Sequence, residues 1–111
     1  MPASTQEPFH RIGVDEAKRL IDEGVTLIDV REPREIPQDG KIAGSALVPL
    51  NSFLANPRQH LKNDTALFYC KVGQRSAIAC EMAAAVGVSH PYNLEGGIEA
   101  WKKQGQPVEY K

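Results

Sequence analysis

The chain has 111 residues, 41% of them hydrophobic and 24% charged, the make-up of one globular domain and not of a disordered or fibrous chain. Its 13 Lys and Arg stand against 14 Asp and Glu, a net charge of −1, which leaves no cationic excess to bind nucleic acid by counterion release. The two cysteines are too few for a disulfide framework and lack zinc-ligand spacing, so neither a metal nor another cofactor is implied. Residues 1–8 have no basic stretch and no apolar run, so they are expected to be a flexible N-terminal tail and not a secretory signal. The longest strictly apolar runs, as at 83–86, are far too short to span a membrane. A reducing, cytoplasmic setting is the expectation for such a chain.

In residues 14–23 the apolar Val14, Ala17, Leu20 and Ile21 recur at helical spacing, with Asp15 and Glu16 near the positive start and Gly24 as a stop. Residues 25–28 then form a buried strand run ending at Asp29, Val30 and Arg31. Residues 32–44 look like loop, because Pro33, Pro37 and Gly40 break any regular pattern. A short strand at 46–48 and a brief helix capped by Asn51 follow. Residues 66–69 are the second strong strand, and they run directly into Cys70. An alanine-rich helix over 76–86, a strand near 92–94 and a last helix carrying Ile98, Ala100 and Trp101 complete the chain. Strands alternating with helices predict an α/β fold, a parallel sheet covered on both faces. Ligands in such folds sit beyond the carboxyl ends of the strands, where Cys70 lies.

Cys70, Lys71, Val72, Gly73, Gln74, Arg75 and Ser76 form a strand–loop–helix passage. A loop of this kind can aim several backbone N–H groups at one point, which a helix N-terminus reinforces as an anion site. The dipole at an exposed helix start supplies about 0.3–1 kcal/mol, less than one pKa unit of a thiol. The N–H bonds and the cations Lys71 and Arg75 must therefore supply the rest of any thiolate stabilisation. The spacing alone leaves open the other reading, a cysteine buried as a small apolar side chain.

Three stretches, Leu27-Ile28-Asp29-Val30-Arg31-Glu32-Pro33, Tyr69-Cys70-Lys71-Val72-Gly73-Gln74-Arg75-Ser76 and Asn93-Leu94-Glu95-Gly96-Gly97-Ile98-Glu99-Ala100-Trp101, occur in this order and together resemble the rhodanese family of sulfurtransferases. The resemblance implies one rhodanese-like domain over residues 9–108, with a central parallel five-stranded sheet flanked by helices on both faces, and a C-terminal tail at 109–111. It also implies that Cys70 takes a sulfane sulfur from a donor such as thiosulfate and holds it as a persulfide. An acceptor, cyanide or a thiol, including a thioredoxin-like or sulfur-carrier protein, then removes it. A relay module fed by a protein donor and a silent anion-binding domain are the alternatives.

On that resemblance Cys70 is the nucleophile, and Lys71, Val72, Gly73, Gln74, Arg75 and Ser76 form the anion cradle, with Lys71 and Arg75 attracting thiosulfate. Arg75 has a second possible role, pinning the loop to a carboxylate. Asp29 and Arg31 read as loop organisers or members of a surface ion-pair network, to which Glu35 would also belong. The family's usual Gly-His-Ile-Pro-Gly stretch is Gly40-Lys41-Ile42-Ala43-Gly44 here, so the loop above the site is expected to be less rigid. Four residues separate Cys70 from Arg75, whereas phosphatases of similar architecture have five, which favours a cradle for sulfur over one for a phosphate ester. Cys80, too deep in its helix to meet Cys70, reads as core. His10, His60 and His90 read as surface or loop residues without metal-ligand spacing.

Overall fold

A computed structural model describes residues 7–111. Its elements in chain order are β1 (His10–Ile12), α1 (Val14–Asp22), β2 (Thr26–Asp29), a 3-10 turn (Pro33–Glu35), α2 (Ile36–Asp39), β3 (Ala46–Leu47), α3 (Leu50–Ala55), a second 3-10 turn (Pro57–His60), β4 (Thr65–Tyr69), α4 (Gln74–Ala85), β5 (His90–Leu94) and α5 (Gly97–Lys103). The five strands make one parallel sheet in the order β1-β5-β4-β2-β3. A parallel sheet needs cover on both faces, and the strand sequences supply apolar side chains to both. Ile28, Val30, Ala66 and Phe68 pack on one face with Phe53 of α3 and Ala79, Cys80 and Ala83 of α4. Leu27, Leu67, Tyr69 and Leu94 pack on the other with Ala17 and Leu20 of α1 and Ile98 and Trp101 of α5. The alternation 66, 68 against 67, 69 is the period-two signature of a strand buried on both sides.

Several expectations need correction. Residues 33–39 are helical, not loop, despite Pro33 and Pro37. Each proline stands in a first turn, where no helical N–H is required, and Glu32 and Glu35 form a reciprocal capping box. α3 starts at Leu50 after Pro49, so Asn51 lies inside the first turn and does not cap it. α4 begins two residues earlier than expected, at Gln74, because Gly73 in left-handed geometry ends the loop. β1 carried no periodic signal; it is three residues long on the sheet edge with only Ile12 buried. In the expected C-terminal tail, Glu109 exchanges backbone hydrogen bonds with Lys41 at 2.6 and 2.8 Å. Of the expected N-terminal tail, residues 1–6 lie outside the described residues, and Glu7 is paired with Arg11.

The core face under α3 and α4 depends on Phe68, fully buried with its ring edge-on to Phe53 at a centroid separation of 5.2 Å. Phe68→Ala is expected to cost about 3–5 kcal/mol through lost burial and a residual cavity. Urea unfolding checks this: a loss below about 1 kcal/mol would show that the packing of this face is not limiting.

Candidate active site

β4 ends at Tyr69, and the next four residues, Cys70 to Gly73, turn the chain into α4. The Cys70 side chain is held under this turn, 1% exposed. Its Sγ receives the Gly73 N–H at 3.1 Å and the Ser76 N–H at 3.4 Å, and lies 3.4 Å from the Ser76 hydroxyl. These contacts need a glycine at 73. Its φ of +105° is in the left-handed region, and a Cβ there would stand 3.3 Å from the Gly96 nitrogen.

The loop carbonyls are taken away from the sulfur. Cys70 O accepts from the Ile98 N–H at 2.9 Å, and Lys71 O from the Glu99 N–H at 3.2 Å. The N-terminus of α5 thus absorbs two acceptors of the loop, in keeping with the unpaired donors of a helix start. Gly97 makes this approach possible: a Cβ at 97 would collide with both carbonyl oxygens. The paired glycines stood in the third motif, so they were visible in the sequence, but their service to Cys70 was not.

Burial pushes the Cys70 thiol up, and the Ser76 hydroxyl with the N–H groups of Ser76, Gly73 and Val72 outweighs it, leaving the thiol below its ordinary value. Cys80, also fully buried, has no such donors, and burial drives its thiol far upward. Both cysteines are free.

The other expected site residues take different places. Asp29 and Arg31 do not form a surface network: both are 0% exposed. Arg31 Nε and Nη2 fork onto the Asp29 carboxylate at 2.9 and 2.7 Å, and Nη2 also donates to Gly40 O at 2.8 Å. The pair therefore ties the end of β2 to the loop at 40–44, which makes both residues loop organisers. That loop is further held by the Ile42 N–H on the Tyr69 hydroxyl at 3.0 Å, so backbone and tyrosine contacts anchor the stretch where Lys41 and Ala43 depart from the family pattern. Glu35 does not join Asp29 and Arg31 by hydrogen bond; it receives both Nη groups of Arg75 at 2.7 and 2.9 Å. Arg75 thus pins α4 to the 3-10 turn. Lys71 reaches Asp39 and Glu99, each at 3.1 Å, and so its charge is already compensated. Lys71 and Arg75, the two cations expected to attract thiosulfate, thus each have carboxylate partners, and Arg75 takes the second role expected of it, pinning the loop to a carboxylate. Val72 is 52% exposed and contributes its N–H to the cradle, while Gln74 is exposed and makes no hydrogen bond to Cys70 Sγ.

A cleft of about 760 Å³ lies elsewhere, at the β1–β5 edge between Glu7, His10, Arg11 and His90. His10 and His90 are both exposed, and no cluster of metal-ligating side chains is found among the described residues.

Comparison with known proteins supplies a family context for this arrangement. Residues 13–104 match the family model described as a rhodanese-like domain. A sulfurtransferase of Allochromatium vinosum is 36% identical over 83% of this chain and 86% of its own length. The thiosulfate sulfurtransferase GlpE of Ectopseudomonas mendocina is 33% identical over 85% of each chain. Among solved structures, a rhodanese-related protein from Thermoplasma volcanium superposes with a TM-score of 0.79 at 33% identity, covering 92% of this chain and 99% of that one.

The Glu35–Arg75 pair has a pH signature. The hydrogen bonds from Arg75 come first among the causes that hold the Glu35 carboxyl down to about 2, from an ordinary 4.5. Its contribution to stability is therefore complete above pH 4.5 and is lost as pH falls from there toward about 2. Glu35→Gln should be less stable at neutral pH and show a shallower loss across that acid range, measured by unfolding at successive pH values. Parallel curves for the two proteins would mean that the pair contributes nothing.

Proposed function

The chain belongs to the rhodanese family, and from that membership we propose that it transfers sulfane sulfur through a persulfide on Cys70, with thiosulfate or a similar compound as donor and a thiol or cyanide as acceptor. In the first half-reaction the Cys70 thiolate attacks the outer sulfur of thiosulfate. A new sulfur–sulfur bond forms at Cys70, the one within thiosulfate breaks, and sulfite leaves with the bonding electron pair. In the second, cyanide or a thiolate attacks the terminal sulfur of the persulfide and regenerates the Cys70 thiolate. Charge balances at each step, and no oxidant is needed.

The observation that carries this reading is the ring of donors around Cys70 Sγ, Gly73 N–H at 3.1 Å and Ser76 N–H at 3.4 Å, with no general base among its hydrogen-bond partners. A nucleophile that must start and end as an anion calls for donors, not for a base. The names of its relatives support sulfur transfer in general, and that of the GlpE relative supports thiosulfate as the small-molecule donor. A reducing compartment, the cytoplasm, suits a carrier thiol of this kind.

A second reading, a relay fed by a protein persulfide, is favoured by one feature. Lys71 and Arg75 are both paired with carboxylates, which leaves little free positive charge for a small dianion.

Intact-protein mass spectrometry separates these readings. Thiosulfate treatment should add one sulfur atom, removable by cyanide and absent in Cys70→Ser. Retention of the gain in Cys70→Ser would overturn the assignment of the carrier. A gain only from a persulfidated protein donor would select the relay.

A further inference from the structure

Asn93 is 0% exposed at the carboxyl end of β5, opposite Phe68 of β4, and the sulfur chemistry above gives it no task. Its Nδ2 donates to the Gly73 carbonyl at 3.2 Å and to the Glu95 carboxylate at 2.6 Å. Its Oδ1 is buried with no hydrogen-bond partner among the described residues. An amide that uses both protons and leaves its acceptor empty is oriented by its donor side alone. Glu95 is in turn held by Arg11 at 3.1 Å, and Arg11 forks onto Glu7 at 2.6 and 2.8 Å. A continuous run of hydrogen bonds therefore leads from the surface pair Glu7–Arg11 to the backbone of Gly73. The N–H of that same residue lies 3.1 Å from Cys70 Sγ.

Gly73 needs such a brace. A glycine has the most conformational freedom to lose and no side chain with which to hold its own peptide planes. Its carbonyl has one other bond, the first helical one from the Ala77 N–H, at a long 3.3 Å. We propose that Asn93 is a positioning residue for Cys70: by gripping the Gly73 carbonyl it aims the Gly73 and Ser76 N–H groups at the sulfur, and Glu95 and Arg11 hold Asn93 for that purpose. Asn93 does not touch the reacting atoms. The assignment rests on the reading of Cys70 as the sulfur carrier, yet its test needs no sulfur donor.

The test is the pH dependence of Cys70 alkylation by iodoacetamide in the full chain, followed by mass spectrometry of the Cys70 peptide. Arg75 and Cys80 on α4 are ionisable side chains near Cys70. They, Tyr69, and the Asp29–Arg31 and Lys71–Glu99 pairs on neighbouring elements are unaltered in the variants, so a displaced midpoint reports the donors. Asn93→Ala should raise the midpoint by about half a pH unit or more, slowing alkylation at neutral pH about threefold. Glu95→Ala, at a half-exposed position outside the apolar core, should raise it in the same direction by less. The sign decides the cause. Removing a nearby negative charge would, by relief of Coulomb repulsion alone, lower a thiol midpoint, whereas loosening the donors raises it. A folded Asn93→Ala with an unchanged midpoint overturns the proposal. So does a Glu95→Ala midpoint that stays or falls, which also carries the test if Asn93→Ala fails to fold. Loss of sulfur loading in the unaltered protein, with these shifts intact, would overturn the sulfurtransferase reading and leave the role of Asn93 standing.

Discussion

A backbone that points its N–H groups at one atom must send its carbonyls elsewhere, and the arrangement around Cys70 depends on this constraint. Each peptide carries donor and acceptor on opposite sides, and buried groups of both kinds need partners. Here the donors of Gly73 and Ser76 turn to Sγ. The carbonyls of Cys70 and Lys71 turn to the first N–H groups of α5, and that of Gly73 to Asn93. The cradle is therefore built by β4, β5, α4 and α5 together. Gly97 is required because backbone must approach backbone more closely than any side chain permits, and Gly73 because its φ of +105° is left-handed.

The two cysteines supply an internal comparison of the forces involved. Both are buried in the same apolar cluster, and burial alone raises a thiol pKa. Cys80 follows that rule, while Cys70 departs from it because donors converge on its sulfur. A hydrogen bond to a charged group contributes about 1.5–3 kcal/mol, against less than about 1 kcal/mol for a helix dipole at an exposed start. The discrete donors decide the outcome. The flanking cations act differently: with Glu35 on Arg75, and Asp39 and Glu99 on Lys71, they fasten elements to one another. The buried Asp29–Arg31 pair does the same for the end of β2 and the loop at 40–44.

Much of this was legible in the sequence. The buried strand runs before Asp29 and Cys70 and the alanine-rich helix placed Cys70 at a carboxyl strand end, because apolar periodicity reports burial directly. β1 escaped notice because three edge residues with one buried side chain have no period. Pro91 lies within β5 between two partner strands, where proline ordinarily argues against strand. The partners of the charged residues were the least legible. Arg75 and Glu35 are 40 positions apart and Lys71 and Asp39 are 32 apart, and charge alone does not say which carboxylate a cation will meet. Asn93 was quoted within a motif, but its hold on Gly73 is a fact of tertiary geometry.

The most direct test of the account is a titration of Cys70 in the unaltered folded protein, followed by thiolate ultraviolet absorbance and compared with the same thiol in the urea-unfolded chain. Convergent donors predict a midpoint in the folded protein below that of the unfolded one. A folded midpoint equal to or above the unfolded value would show that burial prevails, and would contradict the view of this loop as a cradle for anionic sulfur.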